Sequence, residues 1–564
     1  MKWIKKGTFS GKQYRDDVSR KISWGHWFAF FNIIVAILIG ARYAFIIDWP
    51  DTLAGKLYFF VSLLGHFSFN VFALYLLVVF PLSFIVKNHR TFRGLTVIFS
   101  TICTTLLLFD TAVFNRFNLH LSSVVWNLLV NPENGEMSRD WQIFFAPMPI
   151  ILLAQMLFSR WSWEKLRSLE RQKWLKGTGI FLTTTFMATH LIYAWADAYL
   201  YRPITMQRSN FPLSYPMTAR SFLEKHGFLD GEEYTQKLAQ EGRLDALKID
   251  YPKKELTYAP ITHKPNMPKL AKFATSSTEF TNHYSTGNSN NAGLIGLFYG
   301  LNANYTDSIL SNHTQSVLIE KLRAENYQLG LFSATNFKDS IFRQALFREI
   351  KLSSNKTNKP NNESAVKNLN DFIKAQKTDS PWFAYLDLAL EAKNPSDYDR
   401  TLQDIDSLLA KALESTPPEN TLVIITSEHG LTFNEKEREN YFGRDEIQVP
   451  LLVYWKDLPV GKQNGLSNHA DIFSALMQTV FRVENPLMDY SQGRNLFDLK
   501  GDDWVLASNF RWNVVIQPDG TQYHIDRKGN YKKFDKDYIE QSSDRPPLGI
   551  FLEAFQLQNF FFEK

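Results

Sequence analysis

Residues Thr421–Gly430 read TLVIITSEHG. Their first six residues, rich in β-branched and apolar side chains, form the pattern of a buried strand. The strand runs into an acid and a histidine, Glu428 and His429. Ligands gather beyond the carboxyl ends of strands in α/β sheets, and both side chains are of types that bind a divalent metal. A hydrogen-bonded turn accounts for the pair equally well. Working outward, further strand patterns cover Gln328–Ser333, Trp382–Asp387 and Val449–Trp455. Helical patterns cover Thr314–Asn326, Tyr398–Glu414 and Asp471–Phe481. This alternation from about residue 250 predicts an α/β sheet with helices on its faces. The stretch 353–380 opens with a polar loop. Beyond about 500, strands at Trp504–Ser508, Asn513–Gln517 and Gln522–Asp526 precede a final helix. A second chemical candidate is STGNSNNAG, Ser285–Gly293. This small polar loop before an apolar segment offers a hydroxyl nucleophile, or a phosphate seat, at a helix start. Such loops are more often only loops.

The N-terminal third is of another kind. Ile22–Ala41, Leu57–Val86, Trp141–Ser159 and Gly177–Ala196 contain no Asp, Glu, Lys or Arg, and a fifth run from Gly94 to about Asn115 carries one acid, Asp110. Each is about the length that crosses a bilayer as a helix. Trp24, Trp27, Trp49, Trp141, Trp161, Trp163 and Trp195 lie near their ends, as an aromatic belt does. Basic residues concentrate in the N-terminal tail, at Lys87, Arg90 and Arg93, and between Arg160 and Lys176. The positive-inside rule then places the N-terminus in the cytoplasm and everything after Ala196 outside. No cleavable signal pattern opens the chain, so the first span is expected to be a retained anchor. Asp110 falls near the outer interface and is expected to be solvated or paired, rather than part of an ion relay.

Of 564 residues, 15% are aromatic, including 46 Phe, and the net charge is +5. These figures exclude a fully soluble, disordered or fibrous protein, and the absence of a long basic stripe argues against nucleic-acid binding. The single cysteine, Cys103, excludes an intramolecular disulfide and a cysteine-rich metal site.

Between the two halves, residues 197–230 combine aromatics, three prolines and scattered basic residues. Tyr199, Tyr201, Phe211, Tyr215 and Phe222 are expected at headgroup depth, with Arg202, Arg208, Arg220 and Lys225 turned toward anionic groups. Thr218 or Ser221 is expected to cap a short helix, with Glu224 completing a capping box and Gly227 ending it. Arg220 beside that helix start forms a lipid-phosphate site; the alternative is a plain linker on the membrane.

Taken together, the Ser285–Gly293 loop, the Glu428-His429-Gly430 turn, LSNHADIFSALMQ (466–478) and YSQGRNLF (490–497) resemble the alkaline-phosphatase/sulfatase superfamily. They are most like its membrane-anchored phosphoglycerol and phosphoethanolamine transferases. The resemblance places Ser289 at the nucleophile position and Glu428 and His429 at metal-ligand positions. A closer resemblance is carried by SWGHWFAFFNII (23–34), GARYAFIIDWP (40–50), YRPITMQRSNFPLSYPMTARSFLEKHG (201–227) and GLFYG (296–300). These are similar to the YejM (PbgA) family of bacterial inner-membrane proteins.

That resemblance implies a five-helix transmembrane domain (1–196), an interfacial segment (197–250) and a periplasmic hydrolase-like α/β domain (251–564). It implies a sensor of lipopolysaccharide (lipid A) that restrains a LapB-type adaptor through the membrane domain and so governs FtsH-dependent degradation of LpxC. Phospholipids including cardiolipin are further implied partners, and cardiolipin transport an alternative role. The implied lipid A contact comprises Arg220, Thr218, Ser221, Arg208 and Tyr215. The family carries two adjacent arginines where this chain has Arg220-Ser221, leaving Arg208 as the expected support.

The superfamily's opening strand, which ends in an acidic ligand, has no counterpart in YPKKELTYAPITHKPNM (251–267). The passage from Asn266 to Met267 reads as a missing piece. Phe442–Glu446 stands where a ligand histidine precedes the strand VPLL (449–452). A non-catalytic domain with no required cofactor is therefore expected. The alternative is a phosphatase or headgroup transferase holding Mg, Mn or Zn.

Overall fold

The computed structural model describes residues 11–117, 119–122, 125–126, 143, 145–242, 246, 248–258, 267–269, 277–352, 361–377, 380–390, 392, 394–414, 420–431, 442–499, 503–509, 511–526, 530–541 and 548–562. The chain divides into two compact units, with the boundary between Thr235 and Gln236.

The first unit is helical. Helix α1 is Gly11–Gly40, prolonged by a 3-10 turn to Phe45. Helix α2, Leu53–Leu74, continues through a π turn at Tyr75–Val79 into Phe80–Ile85. The π turn immediately precedes Pro81, whose ring clashes with a regular α ladder and which donates no backbone hydrogen bond. Helix α3 is His89–Phe117, α4 Met148–Glu164 and α5 Trp174–Ala198. Three continuous stretches, Gly11–Phe45, Leu53–Ile85 and His89–Arg116, are long and apolar enough to cross a membrane. The fourth predicted span begins outside the described residues, and its helix runs on to Glu164. Helix α2 starts where Thr52 Oγ1 accepts from Gly55 N at 3.1 Å. It packs on α5 through Gly65, where a Cβ would stand 2.7 Å from Phe186 Cα. Small residues at such crossings let backbones approach. Leu77, Ile85, Ile150 and Ile180 face outward, fully inverted from a water-soluble helix bundle, while Asn32 and Gln155 bond inside at 2.6 Å. Two short helices follow, α6 (Arg220–Lys225) and α7 (Gly231–Glu241).

The second unit is built on seven strands: β1 Met267–Lys269, β2 Thr278–Phe280, β4 Gln328–Ser333, β5 Trp382–Asp387, β6 Val423–Thr426, β7 Leu451–Tyr454 and β8 Gly461–Gln463. Their order is β4-β5-β1-β6-β7-β2-β8. The first four are mutually parallel, and β7 runs against β6 and β2. All six residues of β5 are buried, as both-face coverage of a parallel strand requires.

Alternation splits β5 between two cores. Phe383 and Tyr385 join Leu294, Phe298, Leu318 and Phe473 on one face. Trp382, Ala384 and Leu386 join Val366, Leu369 and Leu409 on the other. The first face is covered by α8 (Asn290–Tyr299), α9 (Val317–Ala324) and α12 (His469–Ala475), the second by α10 (Asn362–Ala375) and α11 (Pro395–Glu414). A two-strand pair, β3 (His283–Tyr284) with β9 (Ser467–Asn468), lies beside the sheet. An antiparallel sheet follows: β10 Val505–Ser508, β11 Trp512–Ile516, β12 Gln522–Asp526, β13 Tyr531–Phe534 and β14 Glu540–Gln541. Helix α13, Leu548–Asn559, completes the unit.

The centre of the large sheet is unusual. Among the described residues, β1 pairs Met267, Pro268 and Lys269 with Phe383, Ala384 and Tyr385, and meets β6 through Lys269 and Ile424. Proline donates no ladder bond, and central strands ordinarily exclude it.

Candidate functional site

Ser289 stands at the N-cap of α8 in extended backbone, exposed, its Oγ accepting from Ala292 N at 3.3 Å. The cap places a hydroxyl at a helix start, as the loop pattern predicts. The loop and the strand end come together at one contact. Ser285 Oγ donates to the Glu428 carbonyl at 2.6 Å. A Cβ on Gly293 would lie 2.0 Å from that same oxygen, so only glycine lets α8 approach. Asn288 donates to Glu446 at 3.0 Å, Asn290 to Asp339 at 2.9 Å and Asn291 to Ser340 Oγ at 3.1 Å. A cavity of about 900 Å³ opens beside Ser289, with Asn288, Lys338, Asp339, Arg343 and Glu446 in its wall.

The two predicted ligands are otherwise engaged. Tyr385 Oη donates to Glu428 Oε1 at 2.7 Å. Burial, with the neighbouring carboxylates of Asp387 and Asp339, pushes the Glu428 carboxyl up to about 8. A metal site needs the opposite, an ionised carboxylate. Asp387 accepts from Ser333 and Thr335 at 2.5 and 2.9 Å. His429 Nδ1 meets its neighbour Gly430 O at 2.6 Å. Among the described residues, no three His, Cys, Asp or Glu side chains are grouped to hold an ion. Among the described residues, Glu428 and His429 are thus bonded to other protein groups.

A support that the sequence reading missed lies behind the turn. His469 Nε2 faces Ser427 O at 2.9 Å, His283 Nε2 faces His469 Nδ1 at 3.0 Å, and His283 Nδ1 faces Ser467 Oγ at 2.8 Å. A carbonyl only accepts, so His469 Nε2 donates to Ser427 O. Burial holds His283 well below the usual imidazole range. The signal was present only as one histidine in a two-residue strand and one at the first position of a helix.

In the connecting segment the structure corrects two expectations. Helix α6 is capped by Ala219 with no side-chain bond, so neither Thr218 nor Ser221 caps it and Glu224 closes no capping box. Phe211 is not turned outward but buried, 4% exposed, against Tyr43, Phe59 and Phe67. Gly227 does end the helix, at φ +74°, with Phe228 N bonded to Leu223 O at 2.9 Å. Thr218, Ser221, Arg208, Tyr215 and Arg220 are all exposed. The Arg220 guanidinium lies 5.0 Å above the Tyr234 ring, and both Arg220 and Arg208 act on the Asp197 carboxylate.

Residues 11–258 match a domain of unknown function (DUF3413), and residues 259–389 and 388–480 match the sulfatase family. The inner membrane protein YejM of Salmonella typhi is 39% identical over 573 residues, covering 96% of this chain and 97% of that one. The chain belongs to the YejM family of inner membrane proteins. YejM of Salmonella typhimurium matches to the same extent. A Haemophilus influenzae protein is 96% identical over 585 positions, covering all of both chains. That is 21 positions more than the 564 residues here (585 − 564 = 21), so the relative carries 21 positions without a counterpart in this YejM family member.

Among solved structures, an alkaline-phosphatase-superfamily protein from Vibrio parahaemolyticus has a TM-score of 0.42 at 13% identity, over 60% of this chain and 98% of its own. The C-terminal periplasmic domain of EcEptC from Escherichia coli, in complex with Zn, has a TM-score of 0.35 at 11% identity, over 49% and 97%.

Proposed function

We propose that this YejM family member is a lipopolysaccharide (lipid A) sensor with five membrane crossings and its sulfatase-like domain in the periplasm. It acts on lipid A synthesis through a LapB-type adaptor and FtsH-dependent turnover of LpxC, and its hydrolase-like domain does no chemistry. The observation that supports the sensing role is the surface of residues 208–228. Leu213, Tyr215, Phe222 and Phe228 are each more than 60% exposed there, beside Arg208, Arg220 and Lys225. Two guanidiniums share one carboxylate, Asp197, which leaves net positive charge for a lipid phosphate among side chains suited to acyl chains. The non-catalytic reading is supported by the neutral, tyrosine-bonded state of Glu428.

Lipopolysaccharide binding to the purified chain in detergent tests the first part. Arg220→Glu should weaken binding 10- to 100-fold, since a charge-assisted hydrogen bond is typically worth ~1.5–3 kcal/mol and a like charge then faces the phosphate. Arg220→Lys should weaken it less. Native affinity in a folded Glu variant would place the sensor elsewhere. For the second part, Ser289→Ala and His429→Ala should complement a strain lacking the protein as well as the native chain does. Failure of either variant at normal expression would restore the phosphatase or transferase reading, because losing a true nucleophile costs orders of magnitude in rate.

A further inference from the structure

The irregular stretch 209–217 enters the helical unit, with Phe211 stacked on His66 at 5.6 Å between ring centres. Backbone polar groups inside an apolar bundle must find partners. Here three histidines from three parts of the bundle supply them. His120, just beyond α3, meets Ser209 O through Nε2 at 2.9 Å. His66 of α2 meets Pro212 O through Nε2 at 2.7 Å. His190 of α5 accepts the Met217 N–H on Nδ1 at 3.0 Å.

The hydrogen positions follow from the partners. Ser209 O can only accept, so His120 Nε2 carries a hydrogen. Its Nδ1 faces Asp110 Oδ2 at 2.7 Å, an oxygen that Tyr43 Oη also contacts, while Leu121 N donates to Oδ1. His190 Nδ1 must be free of a proton to accept the amide. His66 Nε2 donates whether its ring is neutral or charged.

We infer that residues 209–217 are seated by a proton-dependent latch, rested on the reading that this segment meets lipid. Protonating His190 Nδ1 turns its acceptor into a donor facing the Met217 N–H and opens that end. His66 and His120 hold the middle and the Ser209 end throughout. The Met217 end is fully seated only while the His190 ring is neutral.

The groups facing these rings enter the same balance. His120 faces Asp110 of α3, Tyr43 after α1 and His66 of α2, with Arg42 acting on Tyr43; His190 faces His66 and the Phe186 ring.

Hydrogen exchange of the 209–217 backbone, corrected for the intrinsic pH dependence, tests this on the full chain in phosphatidylethanolamine/phosphatidylglycerol nanodiscs without lipopolysaccharide. Protection at the Met217 end should fall at least tenfold from pH 7 to 5. His190→Gln, whose amide oxygen accepts without titrating, should lose this dependence. Met217→Pro removes the same N–H from the other side and should show the acid-state exchange already at pH 7 with His190 intact. A flat native profile, or a His190→Gln profile like the native one, overturns the latch. Because no lipopolysaccharide is present, that result is independent of the Arg220→Glu binding experiment, which tests the lipid reading itself.

Discussion

Glu428→Gln is expected to abolish a loss of stability between pH 5 and 8. Burial first, and the carboxylates of Asp387 and Asp339 second, raise the Glu428 carboxyl from an ordinary 4.5 to about 8. Between those values the folded chain keeps a proton that the unfolded chain has released. Stability therefore falls as pH rises, by about 1.4 kcal/mol per unit, which sums to ~4 kcal/mol over the window. Below 4.5 both states are protonated and above 8 both are ionised, so the slope vanishes at either end. Glutamine stays neutral throughout, and its amide oxygen can still accept from Tyr385. Melting temperatures of the full chain in detergent at pH 5, 6, 7 and 8 check this. A Gln variant that melts with the native slope would mean that Glu428 is ionised in the fold, which would also reopen it as a metal ligand.

Phe211→Ala is expected to release the connecting segment while the helices stay folded. The ring packs at 5.2 Å from Phe67, 5.5 Å from Phe59 and 5.8 Å from Tyr43, between centres. Truncating a buried phenylalanine to alanine costs about 3–5 kcal/mol through lost contact and the cavity left behind. The loss falls on a segment that has no regular secondary structure of its own to hold it. Cleavage by trypsin at Arg208, through transient opening, should rise by about a hundredfold or more. Phe211→Leu keeps most of the volume and should rise by about tenfold at most. Cleavage of Phe211→Ala at the native rate would show that the histidine bonds alone hold the segment down.

Where a feature depends on local periodicity, it was legible in the residues. Gln328–Ser333, Trp382–Asp387 and Gln522–Asp526 are strands to the residue, because a short apolar or alternating run bounded by polar groups has few other solutions. Local pattern also marked the apolar stretches of the first unit, three of them long enough to cross a membrane, and Gly227, whose left-handed backbone only glycine adopts cheaply. The chain also declared where its two motifs lie, at Ser289 and at Glu428-His429. What those motifs do depends on partners far away in the chain. Glu428 is met by a tyrosine 43 residues earlier, and His283 reaches His469 across 186. Ser209 is met by His120 across 89 residues, and Asp110 finds in that same ring the partner that its position near a helix end had only suggested. Phe211 looked interfacial because its neighbours in sequence are polar and proline-rich, yet its neighbours in space are aromatic. Local pattern sets which elements form. Only the packed structure sets which buried polar groups meet, because pairing and desolvation are properties of distance and not of order along the chain.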